Sequence, residues 1–234
     1  NCNFCDTTMW QRKYRVRSPE NIAQEIEQVI NDYGIEWFRF PDDCLTINKK
    51  WFTEFCEVIK TLQIEWTFLS RADTTDYKML ELAKNSGCKE VFFGIESGSQ
   101  RILELMNKHI TVEKNKKAIE VCKEVGIKSC VYIMFGFPGE NEESVNETIK
   151  FLEETKPDKS RIHQFLPVPG SDVWNNPDKY GIGIKGNFED YWDFLDNPNL
   201  TLDYFYIGND KILELKEKIK KFYQDIGYMD NLYV

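Results

Sequence analysis

The stretch CKEVFFGIES, Cys88–Ser97, decides how the rest of the chain is read. From Val91 to Ile95 it is apolar without alternation, broken only by Gly94. A strand of that kind buries both faces, which is the habit of a parallel sheet covered by helices. CVYIMF, Cys130–Phe135, has the same character. Between and around these strands the period changes to that of helices. Ser18 and Pro19 suit the start of one whose apolar face is Ile22, Ala23, Ile26, Val29, Ile30 and Tyr33, and Gly34 ends it. Trp51, Phe52, Phe55, Val58, Ile59 and Leu62 mark the next.

Working outward, strands are predicted at Ile35–Phe40, Ile64–Ser70, Cys88–Ser97, from Ile127 into Phe135, and at Ser160–Val168. Each follows a helix. The stretch Ser99–Val125 reads as helical with a break near His109–Thr111, and Asn141 opens a further helix. This repetition has the length of a βα unit. It predicts an α/β fold, a parallel sheet with outer helices, and leaves a barrel and an open doubly wound sheet both standing. A basic connector, Met9–Arg17, precedes the first helix. From Pro169 to about Gly208 the periodicity fails, and a last amphipathic helix uses Ile212, Leu215, Ile219, Phe222 and Ile226. The domain reading is therefore 1–171 and an extension, 172–234.

The chain has 234 residues, 41% hydrophobic and 29% charged, with a net charge of −9. That is enough apolar material for a core, and an acidic surface disfavours nucleic acid as a partner. No apolar run approaches a membrane span. Seven cysteines at irregular spacing argue for a reducing, cytoplasmic setting. Cys56, Cys88, Cys122 and Cys130 lie in apolar segments and read as small core residues, whereas Cys44 could approach the strand-end rim. His163 reads as a structural residue in a strand, and the Lys-rich LKEKIKKF, Leu215–Phe222, as a solvated helix face.

In parallel α/β folds, ligands gather at the C-terminal ends of strands. Those ends are PDDC (Pro41–Cys44), SRAD (Ser70–Asp73), GIESGS (Gly94–Ser99), GFPGENEE (Gly136–Glu143) and QFLPVPGS (Gln164–Ser171). All are rich in Gly, Pro, Ser or carboxylates. The chain also opens on NCNFC, whose Cys2–Cys5 pair alone admits a redox disulfide, half a zinc site or part of an iron–sulfur cluster.

Joined in this order, these stretches resemble the radical S-adenosylmethionine (SAM) superfamily. CNFC is similar to the last two cysteines of its CxxxCxxC motif, and PDDC, FFGIESGSQRILELMNK, FGFPGENEESVNETIKFL and PVPGS to its successive strand ends. The similarity spans Asn1–Ser171. It implies an incomplete TIM-type (β/α)6 partial barrel, with the first strand and the first cysteine lying ahead of Asn1, so that this chain carries two of three cluster ligands. The implied cofactors are a [4Fe–4S] cluster and SAM, together generating a 5′-deoxyadenosyl radical for hydrogen abstraction. Residues 1–234 alone are then expected to be inactive, the activity being that of the parent protein.

By the same resemblance Cys2 and Cys5 are metal ligands and Phe4 packs near the adenine. Asp42 or Asp43 meets the SAM amino group, although DD stands here where the family has Gly-Gly-Glu. Arg71 pairs with the SAM carboxylate through its fork, and Glu96 and Ser97 meet the ribose. Gly136 and Gly139 form the loop near the adenine, which Gln164 and Phe165 also reach. The resemblance names no catalytic side chain. ESGSQ and GFPGE are closest in wording to the cobalamin-associated class, in which a cobalamin domain precedes the radical domain, and this implies methyl transfer or rearrangement of a small-molecule substrate with an electron-donor protein as partner. The rival readings are a tRNA or protein methylthiotransferase radical domain, a cluster-free scaffold, and a CxxC thiol oxidoreductase.

Overall fold

Ser18 accepts a hydrogen bond from the Asn21 amide and Pro19 follows it, so α1 (Pro19–Tyr33) begins where short polar and φ-fixed residues meet. Asn48 caps α2 (Lys49–Lys60) and Asp76 caps α3 (Tyr77–Asn85) in the same way. The expected break falls between α4 (Gln100–Leu105) and α5 (Val112–Val125), where Thr111 caps the new helix. Asn141 and Ser144 cap α6 (Glu142–Thr155) reciprocally. The computed structural model describes residues 2–6, 14–185, 202–228 and 232–233. Met9–Lys13 of the basic connector and 186–201 of the irregular stretch lie outside the described residues.

The strands are β1 (Trp37–Phe40), β2 (Glu65–Ser70), β3 (Cys88–Glu96), β4 (Lys128–Phe135) and β5 (Lys159–Gln164), parallel and side by side in chain order. A doubly wound sheet reverses its strand order partway. This one never does, and the helices touch in sequence, α1 to α2 to α3 to α5 to α6, along one face. Of the two architectures the residues allowed, the partial barrel is therefore the observed one.

The irregular stretch contains α7 (Asp172–Asn175), a 3₁₀ turn at Pro177–Tyr180 and an antiparallel ribbon of β6 (Ile182–Ile184) with β7 (Leu202–Tyr204). After α8 (Asn209–Asp225) a short β8 (Leu232–Tyr233) joins the sheet beside β5. Two corrections follow. The fifth strand stops at Gln164 rather than Val168, because beyond the amide of Phe165, which still donates to Phe135 O at 2.7 Å, Pro167 has none to give. The lysines of α8 are not simply solvated either: Lys216 Nζ donates to Gln164 Oε1 at 3.2 Å and Lys218 Nζ to Glu142 at 3.0 Å.

The core lies between sheet and helices. Phe52 and Phe55 of α2 pack on Trp66 and Phe68 of β2, all four fully buried. Such aromatic packing dominates the energetics of the layer. Residues of opposite parity face the concave side of the sheet, among them Arg39, Phe92, Tyr132, Arg161 and His163. Among the described residues no helix is long and apolar enough to cross a membrane.

Candidate functional site

The CxxC loop is short, and its position is fixed from outside. The Cys5 amide donates to Cys2 O at 3.2 Å, closing a turn. Asn3 then ties that turn to the C-terminal end of α4: its amide donates to Met106 O and its side-chain Nδ2 to Leu105 O, both at 2.9 Å. Carbonyls at a helix end have no partner inside the helix, so they are available to a docking loop. Asn3 O in turn accepts from the Val173 amide at 3.1 Å, which brings in α7.

The turn opens on a cavity of about 480 Å³ at the C-terminal ends of the strands. Cys2, Phe4, Cys5, Asp43, Arg71 and Glu96 line it, together with Gln164 and Phe165, so the structure gathers most of the residues singled out from the sequence. Cys5 is exposed and Cys2 half-buried, and both are free thiols. Partial desolvation, followed by the charges of Cys2, Asp43 and Asp6, pushes the Cys5 thiol above its usual pKa.

Four predicted cofactor contacts, Asp42, Ser97, Gly136 and Gly139, turn elsewhere and a fifth is half-met. Asp42 lines a separate cleft of about 460 Å³ between α1 and the outer edge of β1. Ser97 is fully buried on the helix side, its hydroxyl 3.2 Å from that of Thr148 and accepting from the Ser99 amide. Gly136 and Gly139 shape their loop from within. The Gly136 amide donates to Glu140 at 2.5 Å and Gly139 O accepts from Arg101 at 2.8 Å. Gly139 sits at φ +95°, where a Cβ would come within 2.5 Å of Leu105 Cδ1. Gln164 contributes to the lining, but its side-chain oxygen is taken by Lys216.

Arg71 reaches the cavity with its fork already engaged. Nε and Nη2 donate to the two oxygens of Asp73, each at 2.9 Å, and Nη2 also donates to Lys108 O at 3.1 Å. Its Nη1 makes no hydrogen bond among the described residues.

The residue that sequence reading missed is Lys108. Its Nζ lies 2.9 Å from Glu96 Oε1 and 5.8 Å from the centre of the Phe4 ring, inside the thiol-bearing cavity. The pair is almost dry, with side chains 6% and 14% exposed. Three non-glycine residues around it are left-handed: Glu96 at φ +68°, Asn107 at +53° and His109 at +54°. Backbone strain of about 1 kcal/mol or more each is tolerated where the surroundings over-determine it, commonly at sites. The signal was present in the sequence, since Asn and His enter the left-handed region more readily than most residues. His163 also lines the cavity, its pKa lowered first by burial and then by Arg161. Cys44 is buried among the hydroxyls of Thr46, Ser70 and Thr74, of which Ser70 itself lines the cavity.

Whether the residues fit an iron–sulfur cluster is answered by the donor set. Among the described residues no group of three or more His, Cys, Asp or Glu could hold a metal ion. Two thiols on one turn, beside a cation and a guanidinium, fit two thiolate ligands of a cluster and a wall suited to a carboxylate.

Comparison with known proteins bears on the family and the fold. The model of the Radical SAM superfamily matches residues 1–152. An uncharacterized methyltransferase, PH0819, of Pyrococcus horikoshii is 33% identical over 208 residues, covering 88% of this chain and 45% of that protein. The anaerobic magnesium-protoporphyrin IX monomethyl ester cyclase of Rubrivivax gelatinosus is 32% identical over 177 residues, covering 74% of this chain and 32% of its own length. The chain thus spans less than half the length of these two relatives. In fold it is similar to the radical SAM methyltransferase TsrM of Kitasatospora setae, solved with cobalamin and a [4Fe–4S] cluster bound. That likeness has a TM-score of 0.62 at 17% identity, covering 70% of this chain and 32% of that one.

Proposed function

This chain belongs to the radical SAM superfamily, and from that premise we propose that the cavity around Cys2 and Cys5 is where its parent protein holds a [4Fe–4S] cluster and SAM. The observation that carries the reading is the convergence of two free thiols, Arg71, Lys108, Glu96 and Phe4 on one strand-end cavity. The chemistry such a pair supplies when bound is one-electron cleavage of the SAM sulfonium.

This chain's residues supply position. Cys2 and Cys5 would ligate iron from a turn that Asn3 fixes. Lys108 and the free edge of Arg71 would receive the SAM carboxylate, Asp43 its ammonium, and Glu96 the ribose hydroxyls. Phe4, wedged against Phe137 with ring centroids 6.3 Å apart, would wall the adenine side.

The reaction class we infer is methyl transfer to a small molecule, with cobalamin as a second cofactor held outside residues 1–234 and an electron-donor protein as partner, in the cytoplasm. The methyltransferase relative at 33% identity and the likeness in fold to TsrM support it. Anaerobic reconstitution of the full-length protein, followed by incubation with SAM and dithionite, tests it. Formation of 5′-deoxyadenosine and S-adenosylhomocysteine supports the reading. Cluster-loaded protein that forms neither refutes the SAM site.

A further inference from the structure

We propose that the concave face of the sheet carries an oxyanion-binding site, formed by Arg39 and Arg161 converging on Phe92, that receives a carboxylate or phosphate group of the substrate. Arg39 stands on β1 and Arg161 on β5, at opposite flanks of the five-strand run. Phe92 is on the middle strand. The guanidinium carbon of Arg39 nevertheless lies 5.1 Å from the centre of its ring and that of Arg161 5.7 Å. Two cations from the two flanks of the sheet thus reach one aromatic ring.

Cation–π contact alone is worth about 0.5–2 kcal/mol and can hold an arginine in place. It does not account for what these two lack. Neither has a carboxylate partner among the described residues. Arg39 Nη2 donates only to the Tyr132 hydroxyl, at 3.3 Å. The Nε of Arg161 is buried and makes no hydrogen bond. Glu90, an acid of β3 two residues from Phe92, is committed to Lys159 at 3.0 Å. The buried Nε of Arg161 is the costly group here, and an oxyanion that reached it would satisfy it. Planar forks are suited to carboxylate and phosphate oxygens.

The position fits a substrate. Neither arginine lines the thiol-bearing cavity, and Arg39 lines the cleft that holds Asp42, but Phe92, Tyr132 and His163 do line it, so a molecule anchored at the arginines would lie at its edge. Phe92 and Tyr132 stack with centroids 5.8 Å apart, offering a flat surface to a ring. The inference rests on the proposed function only in taking the occupant to be substrate.

The test is equilibrium binding of benzoate, phenylphosphate and uncharged benzamide to the full-length protein, by calorimetry. Wild type is expected to bind benzoate or phenylphosphate saturably and benzamide not, and whichever anion binds identifies the oxyanion. R39Q and R161Q should each weaken that binding about tenfold or more, with R161K intermediate because it keeps charge without the fork. Arg39 is exposed, so R39Q keeps the test open if R161Q fails to fold. Equal binding of benzamide, no saturable anion binding, or unchanged affinity in R39Q overturns the proposal. Iron content of the wild type is read in parallel. Protein that binds the anion without taking up a cluster would refute the proposed function and leave this site standing, and the converse result would do the reverse.

Discussion

The Asn3 side chain donates to Leu105 O across 2.9 Å, so the loop that carries both thiols is fastened to the end of α4 rather than to the sheet. Asn3→Ala removes that bond and leaves the backbone contact to Met106 intact. A lost hydrogen bond of this kind costs about 1 kcal/mol. The melting temperature should barely move, while iron is lost to a chelator several-fold faster. Equal rates of loss in the two proteins would show that Asn3 does not hold the loop.

Lys108 and Glu96 form a nearly dry ion pair, and removing one member strands the other. Lys108→Met should cost about 3 kcal/mol or more in denaturant unfolding. The double variant K108M/E96Q should recover most of that stability but not SAM affinity, which separates the structural role from binding. Recovery of both by the double variant would remove Lys108 from the site.

Gly98 sits where β3 hands over to α4, pressed on α6. An added Cβ would lie 2.6 Å from Phe151 Cβ and 2.6 Å from Thr148 Cα. Gly98→Ala should therefore destabilise by roughly 1–3 kcal/mol through overpacking, measured by thermal or urea unfolding. A neutral result would mean that α6 yields more freely than its packing indicates.

Glu140 is 2% exposed, and burial pushes its pKa from 4.5 up to about 8, against the opposing pull of the Gly136 amide and the Arg101 charge. Tyr204 and Tyr206 are the other titratable groups beside it. Between about pH 4.5 and 8 the folded state keeps a proton that the unfolded state has released, so its contribution to stability is full below 4.5 and is lost as pH rises through 8. Glu140→Gln should flatten this fall, matching wild type near pH 4.5 and exceeding it by a few kcal/mol at pH 9. Parallel pH profiles of the two proteins would contradict the assignment.

Much of the architecture was legible because the signals were local. Unalternating apolar strands, Ser18, Thr111 and Asn141 at helix starts, and Gly34 at a helix end each act within a few residues. The Cys2–Cys5 turn and the strand-end polar stretches pointed to one rim for the same reason. What was not legible depends on contacts far apart in sequence. Lys108 looks like a residue just past a helix until two left-handed neighbours bury it. Arg39 and Arg161 reach the Phe92 ring from β1 and β5, and no spacing along the chain encodes that meeting.

The measurement that most directly tests the central claim is iron and acid-labile sulfide content after anaerobic reconstitution of the full-length protein, compared with C2S and C5S variants. The account predicts about four irons per chain in the wild type and loss of most of that iron in either variant, with secondary structure unchanged by circular dichroism. Wild-type protein without iron, or variants that retain it fully, would contradict the claim that Cys2 and Cys5 hold a cluster.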